Sequence, residues 1–429
     1  MTKRCVDSIK SYYNKAKNTK LLFNFLNLAA IYGLELLIPL LTLPYVIKVC
    51  GIELYGLVAF ATALFSYFGV LINYGFNLTG TKEVAQNIEN KVKVSEIFFS
   101  VNNAKLFLSV VSLLALLIMF IFVTQLQDSR EIFLIVFGTV LAQNFSPIWF
   151  FQGIQKLSGI SKVNIGFRLL GLIGIYLIVK QPTDGLYVVL IPFVCTICST
   201  IISLILVRKY INLSCYKFSI RAVFDELVKG KYVFLSQVKI TFFNSFNILV
   251  LGFMTSDAIV GFFSAADKVI KAMSAVQIPV VTALYPYFST TVKKDIHDSF
   301  KNITRIALYG GACYFLGIVG VFIFSDYISE LLFEKDSQQI SLLIKVMCFI
   351  PLFVFLNNMF GTQFLLNLGQ DKRFLANLIS AAIINVVLIF PLVNFYGVIG
   401  AAFSVLITEF FVFASMYLAA RIYIKDFKQ

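Results

Sequence analysis

Charge is what this chain has least of. Only 14% of its 429 residues are Asp, Glu, Lys or Arg, against 59% hydrophobic, which leaves too little polar surface to wrap a soluble globule of this size. The bilayer has to be its solvent. Histidine is nearly missing: a single one, His297, stands in a basic stretch, so a histidine-containing metal site has almost nothing to be built from, and neither a metal nor another cofactor is expected. The seven cysteines (Cys5, Cys50, Cys195, Cys198, Cys215, Cys313 and Cys348) show no paired spacing outside an apolar run. The C-x-x-C of Cys195 and Cys198 lies inside one, where small soft side chains serve helix packing. The first twenty residues carry six Lys or Arg and no apolar core, which argues against a cleavable signal peptide. Acidic residues are short as well, 22 against 36 basic, for a net charge of +14. In a soluble protein that excess would point to nucleic acid; here the basic residues cap apolar runs where anionic lipid head groups lie, so membrane lipids and not nucleic acid are the expected contact.

What the chain has in quantity is apolar runs. Twelve can be read, at 21–47, 54–79, 104–124, 131–154, 160–180, 185–207, 231–254, 257–286, 306–325, 340–366, 373–393 and 396–420. Each has about 20 residues or more, the length a helix needs at about 1.5 Å per residue to cross roughly 30 Å of hydrocarbon. On this reading 28 of the 36 Lys and Arg fall on one side, and the opposite loops hold Lys48, Arg130, Lys180 and Lys335. Basic residues resist translocation, so the rich side is cytoplasmic and both termini lie there.

The expected fold class is therefore all-α and membrane-integral, with an N-terminal cytoplasmic segment 1–20, a first lobe 21–207, a cytoplasmic linker 208–230, a second lobe 231–420 and a tail 421–429. Gly51 to Gly56 (GIELYG) enters the second run as Ser256 to Gly261 (SDAIVG) enters the eighth, and small residues follow both. That similarity predicts two pseudo-symmetric six-helix halves, a parallel repeat. Residues 80–103 and 293–305 mix basic with apolar side chains and are expected to lie on the membrane surface as amphipathic helices. The longest loop on the far side runs from about Asp326 to Gln339, which leaves no room for the external domain of a glycolipid polymerase or ligase.

Three stretches carry a family resemblance: NYGFNLTGTKEVA (Asn73 to Ala85), PIWFFQGIQK (Pro147 to Lys156) and LLTLPY (Leu40 to Tyr45). They resemble the polysaccharide-export branch of the multidrug, oligosaccharidyl-lipid and polysaccharide transporter superfamily, and within it the Wzx-type O-antigen flippases. The resemblance implies a V-shaped, two-lobed, twelve-helix fold like that of the multidrug (MATE) exporters. It also implies a task, carrying an undecaprenyl-diphosphate-linked oligosaccharide across a bacterial inner membrane, with other polysaccharide assembly proteins as further partners. A multidrug cation exporter of the same fold, a membrane polymerase or ligase, and a peptidoglycan-precursor flippase are the alternatives.

A diphosphate with sugars attached needs a wet, cationic path, and each charge at a helix centre costs roughly 2.5 to 3.5 kcal/mol on insertion scales. Lys268 and Lys271 lie three apart in the eighth run, on a stripe with Ser264, Ala275 and Thr282; a local ion pair of Lys271 with Asp267, four residues before it, is the competing reading. Lys239 and Arg168 are further candidates for the diphosphate. Asn73, Asn77, Asn244 and Asn247 are candidates for sugar hydroxyls, though asparagines also join helices to one another. Glu35 and Glu409, both mid-run, are candidates for coupling transport to H+ or Na+. Pro39, Pro44, Pro279 and Pro351 remove backbone hydrogen bonds and are candidate hinges.

Overall fold

The computed structural model describes residues 38–215, 219–292, 294–334 and 337–426. Helix is the only extended regular structure among them, as a chain of apolar runs requires, since a backbone in hydrocarbon must satisfy its own hydrogen bonds. Helix α1 is Ile38–Cys50. Then come α2 (Ile52–Asn73), α3 (Phe76–Gln86), α4 (Lys91–Phe122), α5 (Arg130–Phe145), α6 (Ile148–Gly153), α7 (Leu157–Ile178) and α8 (Tyr187–Val207). After these lie α9 (Ile220–Met254), α10 (Asp257–Ala275), α11 (Ile278–Thr291), α12 (Ile296–Phe333), α13 (Ser337–Met347), α14 (Ile350–Asn357) and α15 (Asp371–Asp426). A π-helical stretch, Asn358–Leu366, continues α14. Among the described residues nine helical stretches are long and apolar enough to cross a membrane, and ten when α10 and α11, bent by 41°, count as one.

The described residues divide into two compact units, one of 38–42 with Ala61–Thr241 and the other of Leu43–Phe60 with 242–426. In the first, the motif stretches prove to be two helix breaks and the helices beyond them. Tyr74 (φ 47°) and Gly75 (φ 83°) separate α2 from α3, and Pro147, which has no N–H to continue α5, starts α6. Helix α3 then lies on α6: a Cβ on Gly80 would stand 2.8 Å from the Trp149 ring, and Thr81 Oγ1 donates to the Trp149 carbonyl at 2.9 Å. Phe76, Val84, Phe98, Val101, Trp149 and Phe150 are all buried around this contact.

In the second unit GIELYG and SDAIVG pack on one another. Gly56 has no room for a side chain against the backbone of Asp257 and Gly261, and Gly261 has none against the Ile52 carbonyl. The unit's core gathers Phe355, Met359, Phe360, Phe364, Val412 and Met416 around the π-helical stretch.

Several expectations are corrected. Neither 80–103 nor 293–305 forms a separate surface helix; the first is the end of α3 and the start of α4, and the second holds the start of α12. Their amphipathic character belongs to the short helix α3 and to the first turns of the longer α4 and α12. Because α12 continues to Phe333, the expected far-side loop 326–339 is mostly helix. Lys345 is paired with Asp326 at 2.8 Å, and Lys48 with Glu334. Of the candidate hinges, Pro279 and Pro351 stand in the first turns of α11 and α14, beside breaks; Pro39 is the second residue of α1 as described, and Pro44 lies within that helix.

Candidate functional site

Helix α10 carries the two lysines that the sequence places at mid-membrane, and the structure separates their circumstances. Lys271 Nζ is 2.6 Å from Asp267 Oδ2 and donates to the Asn244 carbonyl at 3.3 Å. Its charge is answered locally, as the four-residue spacing allows. Lys268 is exposed and makes no hydrogen bond or salt bridge to a described residue. The preceding turn, Phe263 to Ala266, is buried, and the helix comes to the surface at Lys268. The stripe is thus polar only in part, because Ser264 is buried, its hydroxyl without a hydrogen-bond partner among the described residues.

A second polar group lies where Glu409 leaves α15. Its carboxylate accepts from Asn357 Nδ2 at 2.7 Å, and Asn357 Oδ1 is buried with no hydrogen-bond partner among the described residues. Glu409 faces a cavity of about 30 Å³ lined also by Phe242, Phe243, Asn247, Asn385 and Thr408. Ser404 donates to Asn247 Oδ1 at 3.4 Å, and Asn385 Nδ2 to Thr408 Oγ1 at 3.2 Å. A space of this size holds one or two water-sized species. The carboxylate has no basic partner among the described residues, and it shares the cavity lining with polar side chains from α9 and α15. Asn385 and Thr408 escaped the sequence reading; their signal was a polar side chain in the middle of an apolar run.

The other candidates are dispersed. Asn73 Oδ1 accepts from the backbone N–H of Asn77 at 3.2 Å, which bridges the α2 and α3 break. Asn77 Oδ1 in turn accepts from Lys105 at 3.4 Å. Lys105 is a residue that sequence reasoning counted with the cytoplasmic loops; it is wholly buried. Lys239 is exposed on α9 and Arg168 half-buried on α7. Asn244 meets Lys271 through its carbonyl, whereas Asn247 belongs to the Glu409 cavity. Glu35 lies outside the described residues.

Comparison with known proteins places this geometry. Residues 21–292 match the family model described as "Polysaccharide biosynthesis protein". A protein of Escherichia coli (strain K12) named "Putative O-antigen transporter" is 28% identical over 402 residues, with 93% of this chain and 96% of the relative covered. One of the same name from Shigella dysenteriae is 25% identical over 401 residues, 93% and 99% covered. Among solved structures, an inward-facing multidrug resistance MATE family transporter of the MOP superfamily superposes with a TM-score of 0.64 at 14% identity, covering 92% of this chain and 99% of that one. The lipid II flippase MurJ in an inward closed conformation gives 0.60 at 13% identity, covering 86% and 85%. At such identities the likeness is one of fold, and it bears out the MATE-like helical architecture.

Proposed function

We propose, for a chain that belongs to the polysaccharide biosynthesis protein family, that its cargo is a lipid-linked oligosaccharide whose phosphates meet Lys268. The chain is a multi-pass membrane transporter of the O-antigen flippase kind and not a catalytic enzyme. The finer reading goes further: twelve spans in two six-helix lobes, both termini in the cytoplasm of a bacterium, and alternating access that passes an undecaprenyl-diphosphate-linked repeat unit across the inner membrane. The break in α15 at Gly397 (φ 55°) supports counting that 56-residue helix as two spans.

Lys268 carries the proposal. An amine in the middle of an apolar helix is costly, and evolution of a static structure would have paired it, as Lys271 is paired. An exposed ammonium that makes no salt bridge to a described residue, its neighbour Asp267 being engaged by Lys271, is available to an anionic cargo. The Glu409 cavity is assigned to the coupling cation, H+ or Na+, because a carboxylate, two amide oxygens and a hydroxyl around a water-sized space suit a small cation. At about 30 Å³ the cavity is far smaller than the roughly 300 Å³ or more that drug-sized ligands require, so it is not itself a cargo site.

The test is export of lipid-linked repeat units in cells that lack their own flippase. Lys268→Gln is expected to lower export at least tenfold with an unchanged amount of protein in the membrane, and Lys268→Ala with Lys271→Ala to abolish it. Export at the level of the unaltered chain in Lys268→Gln removes this residue from the path and the proposal with it. Mass spectrometry of the lipid-linked material identifies the glycan and separates an O-antigen unit from a peptidoglycan precursor.

A further inference from the structure

Lys105, on α4, is fully buried, yet none of its partners among the described residues is a carboxylate. Its ammonium donates to the Asn144 carbonyl at 2.7 Å and to Asn77 Oδ1 at 3.4 Å, and stands 5.7 Å from the centre of the Trp149 ring. A buried amine needs compensation, and every compensating group among the described residues is neutral. The strongest is Asn144, one residue before the end of α5. A helix leaves its last four carbonyls without internal partners and gathers the negative end of its dipole there. Ser146 turns its N–H back to Gln143, and Pro147 has none to give. The amine of Lys105 therefore caps the broken end of α5.

Its second partner stands just past the other break. Asn77 is in the first turn of α3, two residues beyond the positive-φ pair Tyr74 and Gly75. Trp149, beneath the amine, is in the first turn of α6. One side chain thus touches the end of α5, the start of α3 and the start of α6, while α3 and α6 are already packed together through Gly80, Thr81 and Trp149.

We propose that Lys105 is a positioning residue that fixes the angle of both helix breaks, so that α3 and α6 move as one piece against α2 and α5. Neutral partners suit this role, because a carboxylate would hold the amine too firmly for the break to yield. The consequence for transport rests on the flippase reading above; the joint control of the two breaks does not.

Hydrogen–deuterium exchange on the purified full-length chain in lipid nanodiscs tests it. In Lys105→Met, which keeps the volume and removes the charge, amides of residues 73–79 and 144–150 are expected to exchange at least tenfold faster, both segments together. Asn77→Asp, which gives the amine a carboxylate, is expected to slow the same two segments by a similar factor. A change confined to α4, a uniform loosening of the first unit, or two segments that respond independently overturns the proposal; if Lys105→Met does not fold, unaltered exchange in Asn77→Asp does so alone. Export is read in parallel: a native chain that exports no lipid-linked glycan refutes the flippase reading and leaves the exchange result to judge Lys105.

Discussion

Replacing Lys229 by alanine should destabilise the protein more than removing either the length or the exposure of that side chain would suggest. Lys229 Nζ lies 2.9 Å from Glu226 and 3.0 Å from Glu83, and Ser100 Oγ donates to Glu226 Oε1 at 3.1 Å. The three side chains differ in burial, at 6% exposure for Glu226, 26% for Glu83 and 45% for Lys229. Losing one partner of a fully buried pair costs about 3–5 kcal/mol because the other charge is stranded. Lys229 is close to half exposed, so water screens part of the interaction, and the expected cost falls to ~1–2 kcal/mol. Glu83→Ala leaves Lys229 with its better buried partner and should cost no more than about 0.5 kcal/mol. Adding Glu226→Gln to Lys229→Ala removes the stranded charge while leaving Ser100 an oxygen to donate to, so the double variant should regain most of the loss. Unfolding midpoints in mixed micelles, measured for the three variants against the native chain, decide it. A double variant no more stable than Lys229→Ala, or a Glu83→Ala as damaging as Lys229→Ala, would mean that the buried carboxylate is not the source of the penalty.

The crossing of GIELYG on SDAIVG gives a test of packing: Gly56→Val and Gly261→Val should each reduce folded protein by overpacking worth about 1–3 kcal/mol, and together by less than the sum, since both relieve the same contact. Fluorescence-detected size exclusion of the two single variants and the double variant measures this, and strict additivity would contradict a shared crossing. Glu409→Gln should abolish the dependence of export on an imposed proton or sodium gradient, with Asn385→Ala giving a partial loss. Transport in vesicles with one gradient at a time reports which cation matters, and retained gradient dependence in Glu409→Gln would exclude the cavity as the coupling site.

The membrane helices were legible because the bilayer enforces them. A run such as 185–207 has no other structure open to it in hydrocarbon, and α8 occupies nearly that range. Ends were less legible. Lys91 to Phe98 looks like a surface helix because its charges alternate with apolar residues, but nothing in it stops a helix, and α4 runs through it. Breaks marked by proline, such as those at Pro147, Pro279 and Pro351, carry a chemical sign in the sequence. Those at Tyr74 and Gly397 do not, since tyrosine rarely adopts a positive φ and a lone glycine is common in membrane helices. In the site, the spacing of Asp267 and Lys271 offered their pairing as the competing reading, which the structure adopts, and Glu409 was visible as an acid amid apolar residues. Lys105 was lost because it stands at the margin of an apolar run: a tally of basic residues cannot tell an amine in water from one capping a helix.

The π-helical stretch makes one segment of this chain intolerant of any change in length. Each residue of an α-helix advances the side chains by about 100°, and a wider turn accommodates an extra residue without disturbing the winding on either side of it. Asn357, just before the stretch, is aimed at Glu409; Gln363, inside it, donates to the Val281 carbonyl at 2.8 Å; Phe364 and Leu365, near its end, are core. These three allegiances are compatible only at the present spacing. Trimming a single residue would restore ordinary helical winding and bring one set of contacts into phase by throwing the other out, leaving the carboxylate without its amide or the core without its phenylalanine.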